Sequence, residues 1–181
     1  MACNISLGRN EPCKDSIAGL SGIYFINYST GSYTLNATDQ VTAFPSGTTA
    51  YYYELKGANG YTETVNTSRD NGTTFFSQAL AIQLKKLSAE STKEFKLLAY
   101  GRPQIVVTTR QGDSLLVGRL YGADVTAGVN ETGVQYGDHY GYKYTFTGME
   151  PLPANFLSGS TSTNPFAGVS NAPTIVYGTN S

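Results

Sequence analysis

The sequence predicts a mainly β fold: a sandwich or barrel with one flanking α-helix at about residues 89–100, a long protruding β-hairpin and an extended C-terminal tail. Three observations carry this. The composition has 14 Tyr, 8 Phe and 20 Gly with no Trp and only 14% charged residues, which is the vocabulary of strands and turns rather than helices. Apolar residues alternate with polar ones in several segments, the two-residue period of a half-buried strand. Only one stretch, SAESTKEFKLLAYG, changes to the helical period.

The elements follow in chain order. Ile23 to Tyr28 is an apolar and aromatic run, followed by the turn-like Ser29-Thr30-Gly31-Ser32 and the short strand Tyr33 to Leu35. A second strand runs from Ala50 to Lys56, with Tyr51, Tyr53 and Leu55 on one face and Tyr52 and Glu54 on the other. Gly57, Asn59 and Gly60 suit a hairpin turn, and Tyr61 to Arg69 returns as a ribbon of alternating Thr with little apolar content. Such a ribbon lacks a core of its own, so it is expected to protrude and meet another subunit. After Asn71-Gly72, Phe76, Leu80, Ile82 and Leu84 form the apolar face of a long strand, with Phe75, Ala79 and Ala81 opposite.

The helix comes next. Ser91 and Glu94 are spaced as a capping box, Phe95, Leu98 and Ala99 fall on one face, and Gly101 followed by Pro103 supplies the stop. Gln104 to Arg110 is a strand, Gln111-Gly112-Asp113 a turn, and Ser114 to Tyr121 the partner strand, with Gly118 at a bulge or a close backbone approach. Residues 122–138 read as a loop. Tyr140 to Thr147 closes the sheet, with Tyr140, Tyr142, Tyr144 and Phe146 on one face. From Ser158 the composition turns to Ser, Gly, Thr, Asn and Pro. The division expected is a β domain over residues 1–157, irregular up to residue 20, and an extended or disordered tail over 158–181, ordered by a neighbour if at all.

Length and charge bound the function. A chain of 181 residues fits one domain that buries roughly 70% of its unfolded surface. A net charge of -1 supplies no basic field for a nucleic-acid backbone. No segment approaches the ~18 apolar residues of a membrane span, and MACNISLGRNEPC lacks the basic and apolar regions of a signal peptide. Cys3 and Cys13 have neither CxxC spacing nor companion histidines, so no metal site is expected, and reduced thiols are the expectation. The N-x-S/T triplets carry no functional weight in a chain so rich in Asn and Thr.

Catalytic chemistry finds no constellation. His139, the single histidine, follows Asp138, but neighbours on a strand point to opposite sides, so Asp138 does not orient the imidazole. No GxSxG, HExxH or phosphate-binding glycine loop is present, and the spacing of the carboxylates selects no pair. The expectation is no enzyme and no cofactor. A second reading is a glycan- or receptor-binding β-sandwich, because tyrosine offers sugars a flat apolar face with a polar rim.

The order strand, helix, QIVVTTR, turn, LLVGRLYGADV, glycine-rich loop and GYKYTFTGMEP resembles the tail tube, tail hub and ring-forming proteins of tailed bacteriophages, over roughly Thr74 to Leu157 and the hairpin before it. The first segment and the close are also similar to virion tail or ring proteins of phages of gut Bacteroides relatives, the crAss-like group among them. The resemblance implies a structural virion subunit, assembled in the host cytoplasm into a homo-oligomeric ring of six or twelve copies. Its partners would be other tail or head-tail proteins, with genomic DNA passing through the lumen unbound and no membrane involved. In the family the sheets of successive subunits join into a continuous barrel, and a hairpin reaches the next ring. Tyr51 to Phe75 matches that hairpin, so Tyr51, Tyr53, Tyr61, Val65, Phe75 and Phe76 are the expected intersubunit contacts.

Overall fold

The run Ile23 to Ile26 has no polar position, and its place in the fold explains why. A computed structural model describes residue 5 and residues 7–178. In it β1 (Leu20–Ile26) is an inner strand of a six-stranded sheet, flanked on one side by β4 (Thr49–Glu54) and on the other by β7 (Gln104–Thr109), both antiparallel to it. Beyond β7 come β8 (Ser114–Val117) and β11 (Asn155–Phe156), and beyond β4 comes β12 (Thr174–Tyr177), in the order β11-β8-β7-β1-β4-β12. A strand buried on both faces reads as a continuous apolar run rather than an alternating one.

On one face of this sheet lie Ile23, Phe25, Ile105, Val107 and Val117, packed against Leu80, Ile82, Tyr142 and Phe146 of a second sheet. That sheet has four antiparallel strands in the order β5-β6-β10-β9, formed by β5 (Gly60–Ser68), β6 (Thr73–Lys85), β9 (Asp124–Glu131) and β10 (Gly141–Glu150). Helix α1 (Ala89–Tyr100) covers part of the same core through Phe95, which stacks on Tyr142 and Tyr144 at centroid distances of 5.0 and 4.4 Å.

Tyr24, Ile26, Ala50, Val106 and Leu116 face the other way, toward Val41, Phe44, Leu157, Phe166 and Val169. This outer layer is built from the small ribbon of β2 (Thr34–Leu35) and β3 (Val41–Ala43) and from the segment after Leu157. Rings interlock there: Phe166 meets Tyr24 at 5.2 Å and Phe44 at 5.5 Å, both edge-on.

Several expectations are corrected. Ala50 to Glu54 and Tyr61 to Ser68 do not form a hairpin, because β4 pairs with β1 and β12 while β5 pairs with β6 through Asn66↔Phe75 and Gly60↔Ala81. The long hairpin is therefore β5–β6, turning at residues 69–72, and its polar ribbon finds its partner within the chain. Of the short strand expected from Tyr33 to Leu35, Thr34 and Leu35 form β2 and pair with β3. The stretch read as a loop contains β9, and the strand expected to reach Tyr121 ends at Val117.

Gly118 sits just past that end at φ 66, where a Cβ would lie 2.6 Å from the backbone of Gly122. The expected close approach is there, and it turns the chain out of the sheet. The helix is capped by Ser88, whose hydroxyl accepts from the Ser91 amide at 3.1 Å, so Ser91 lies inside the first turn.

Residues 158–178 pack on their own chain. Phe166 and Val169 are core residues, the Ser170 amide donates to the Thr42 carbonyl at 2.7 Å, and β12 adds to the sheet parallel to β4. Residues 179–181 and Cys3 lie outside the described residues; Cys13 is exposed.

Polar side chains join the layers. Gln78 donates to Glu63 Oε2 at 3.1 Å and accepts from the Gly118 amide at 2.9 Å, and the same Glu63 oxygen takes the Tyr61 hydroxyl and the Ala154 amide. Fully buried Gln104 accepts from the Tyr33 hydroxyl and donates to the Ser29 and Arg119 carbonyls. Buried Glu150 accepts from the Leu120 and Tyr121 amides at 2.9 and 2.7 Å. Each satisfies groups that would cost about 1–3 kcal/mol if left unpaired.

Two predictions follow from this packing. Phe166→Ala should cost about 3–5 kcal/mol of stability, read as a lower denaturation midpoint at unchanged slope. A true tail would lose nothing.

Burial raises the Glu150 carboxyl above its ordinary value of 4.5, against the lowering pull of the two amides. A raised folded value means stability present at low pH and lost as pH rises through it. Glu150→Gln keeps an acceptor for both amides, so its stability should fall less than the wild type's as pH climbs above about 4.5. Equal slopes in denaturation at pH 4 to 7 would contradict this.

Candidate assembly surface

The four-stranded sheet has one face against the core and one face toward solvent. Alternation along β6 sends Gln78, Leu80 and Ile82 inward and Ser77, Ala79 and Ala81 outward. On β10 it sends Tyr142, Tyr144 and Phe146 inward and Lys143, Thr145, Thr147 and Met149 outward. Register extends the outward face to Thr62 and Thr64 on β5 and to Ala127 and Val129 on β9. All of these outward residues are exposed or half-buried, and none belongs to either core. The face is made largely of small Thr, Ala and Ser side chains, with Phe75, Val129 and Met149 as its large exposed apolar members.

Its charges balance. The register places Lys85, Lys143, Asp124 and Glu131 on this side, two of each sign. Lys143 is bonded to Glu131, and this holds the Glu131 carboxyl below the usual carboxylate range; His139 adds to the effect through its Nδ1, 2.9 Å from the same oxygen. Asp138 is engaged elsewhere. Its carboxylate accepts the Val134 and Gln135 amides at 2.8 Å each, bonds that keep its carboxyl low. Asp138 thus shapes the loop between β9 and β10, while the imidazole pairs with a carboxylate eight residues back along the hairpin.

The two edges of the sheet are β5 and β9. Because every pairing in it is antiparallel, β5 and β9 run in opposite directions. Each offers a row of backbone donors and acceptors that no strand of the described residues takes up.

The six residues expected at subunit contacts separate into groups. Tyr51 and Tyr53 lie on β4 beside α1, where Tyr53 packs edge-on to Phe25 at 5.2 Å and burial pushes its hydroxyl up to about 12. Together with Tyr28, Leu97 and Arg102 they line an open groove of about 400 Å³. The Arg102 guanidinium sits 4.1 Å above the Tyr28 ring, a cation–π contact.

Tyr61, Val65 and Phe76 share the inward face of the β5–β6 hairpin, and Phe75 is outward. Tyr61 is anchored in the core by Glu63. Of these four, Val65 and Phe75 are exposed and Tyr61 and Phe76 half-buried.

Sequence reasoning missed β9, and with it one edge of the sheet. A bulge at Thr126, where the register against β10 slips between Thr145 and Phe146, explains the omission. It puts Val125 inside and Val129 outside although both are odd-numbered, so the two-residue period that marks a strand is broken.

Comparison with protein-family models, curated proteins and solved structures gives no match. Among the described residues no cluster of His, Cys, Asp and Glu can hold a metal ion, and no helix is long and apolar enough to cross a membrane.

Proposed function

We propose that this chain is a non-enzymatic structural subunit that assembles with copies of itself into a ring around a channel, as a tail tube, hub or connector component of a phage virion. The observation that carries the reading is the four-stranded sheet, with one face uncovered and two free edges of opposite direction. Rotation about an axis along the strands brings β9 of one copy beside β5 of the next in antiparallel sense, and repetition closes an all-antiparallel barrel. Closure removes both exposed edges at once.

Size and charge favour the same reading. Six copies contribute about twenty-four strands; at roughly 4.8 Å per strand the wall measures about 115 Å around and about 37 Å across. Half as many copies would leave a bore too narrow for a duplex once side chains are added. The balanced charge of the uncovered face suits a lining past which DNA slides, since a basic wall would hold it by counterion release. In this reading the other partners are neighbouring tail or head-tail proteins, and the assembled site is the virion, built in the host cytoplasm.

The groove beside Tyr51 favours a second reading. Aromatic faces with Glu94 and Arg102 at the margin are also what a glycan-binding module presents.

Assembly should appear as rings in negative-stain images and as a large species in light scattering at high protein concentration. Thr62→Glu places a second carboxylate level with Asp124 across the proposed seam and should reduce ring formation. Thr62→Lys should preserve it. Thr62 is exposed, so monomer stability should stay within about 0.5 kcal/mol. A chain that remains monomeric at high concentration sinks the proposal. Tyr51→Ala should leave glycan-array signals unchanged; a signal present in the wild type and lost in this variant would favour the second reading.

A further inference from the structure

We infer that the groove where β1, β7 and β8 meet Asn59 is a docking site for the N-terminal arm of a second copy of this chain. Two independent features point at each other. The first is the groove, about 410 Å³, walled by Leu20, Tyr61, Val107 and Leu115 with Asp113 at its rim. Asn59 lines it at 6% exposure. Its Oδ1 accepts from the Gln83 amide at 2.6 Å, but its buried Nδ2 has no partner. An orphaned amide donor of this kind is expensive in a finished structure. It calls for a carbonyl oxygen from whatever fills the groove.

The second feature is the arm. Residues 7–18 are all exposed, with no helix or strand, and among the described residues the first hydrogen bond to the body is from the Ile17 amide to Gln111. Ile5 and Leu7 are 98% and 90% exposed. Residues two apart share one side of any extended segment, so bound in that form both side chains can enter an apolar groove together. Arg9, two residues on, suits Asp113, which makes no ion pair among the described residues.

Reach selects a neighbour. The arm leaves the body at the rim of this same groove, at Ser16 to Gly19, so its own groove is accessible only by doubling back. Ten residues from Leu7 to Ile17 extend about 33–36 Å, close to the roughly 40 Å breadth of a body this size. The arm of one copy therefore spans to the groove of the next. The inference rests on the assembly reading only in needing a second copy nearby.

Two experiments test it. A photo-crosslinking residue placed at position 7 of the full-length chain, mixed with isotope-labelled chain, should give adducts between copies at residues 59–61 or 107–115. Adducts confined to one chain, or mapping elsewhere, overturn it.

A synthetic peptide of residues 5–15 should also bind the full-length chain whose own arm is silenced by Ile5→Asp and Leu7→Asp. Affinity should drop about tenfold or more when the peptide carries Leu7→Asp, and the signal should respond to Asn59→Leu in the chain. No saturable binding, or equal binding by the altered peptide, overturns the inference. Peptide binding needs no ring, so a failure of ring assembly and a failure of this groove read out separately.

Discussion

Burial of both faces of β1 and β7 is the constraint from which the rest of the structure follows. A sheet whose central strands read LSGIYFI and QIVVTT cannot leave either face in water, because each fully exposed large apolar side chain forfeits about 1.5–3 kcal/mol. Two covering layers are therefore required. One comes from the four-stranded sheet and α1. The other has no regular element large enough to supply it, so β2, β3 and the segment from Leu157 to Ser170 are drawn over the sheet. The Gly- and Ser-rich composition of that last segment lets it follow the contour, with Phe166 and Val169 as its anchors.

The same constraint determines what remains available for function. The four-stranded sheet gives only its inner face to the core, and the large inward residues Tyr142, Phe146 and Leu80 saturate it. Its other face is left mainly with Thr, Ala and Ser, and the charges on it balance. Between the layers, Gln78, Glu63 and Glu150 tie backbone amides of one layer to side chains of another. These bonds help fix how the sheets sit on each other.

Much of the fold is legible in local pattern. The opposite faces of Tyr51, Tyr53 and Leu55 against Tyr52 are found as read, because strand alternation is dictated by the backbone. The helix over Ala89–Tyr100 and the close approach at Gly118 are local matters of period and φ. Pairing is different. Gly57, Asn59 and Gly60 provide good turn chemistry, yet the strands they join belong to different sheets, β4 pairing with β1 and β12 and β5 with β6. β9 disappears from the pattern because one bulge reverses its faces.

The sequence by itself determined the fold class, the single helix, the faces of most strands and the lack of a basic field, since each depends on residues within a few positions of one another. Only the tertiary structure decided that the C-terminal segment is core, that the β5–β6 ribbon has its partner at home and that one sheet keeps an open face with two free edges. Those outcomes turn on which distant surfaces compete best for burial. That competition involves residues more than a hundred positions apart, such as Val41 with Leu157 or Tyr24 with Phe166, and no local period records it.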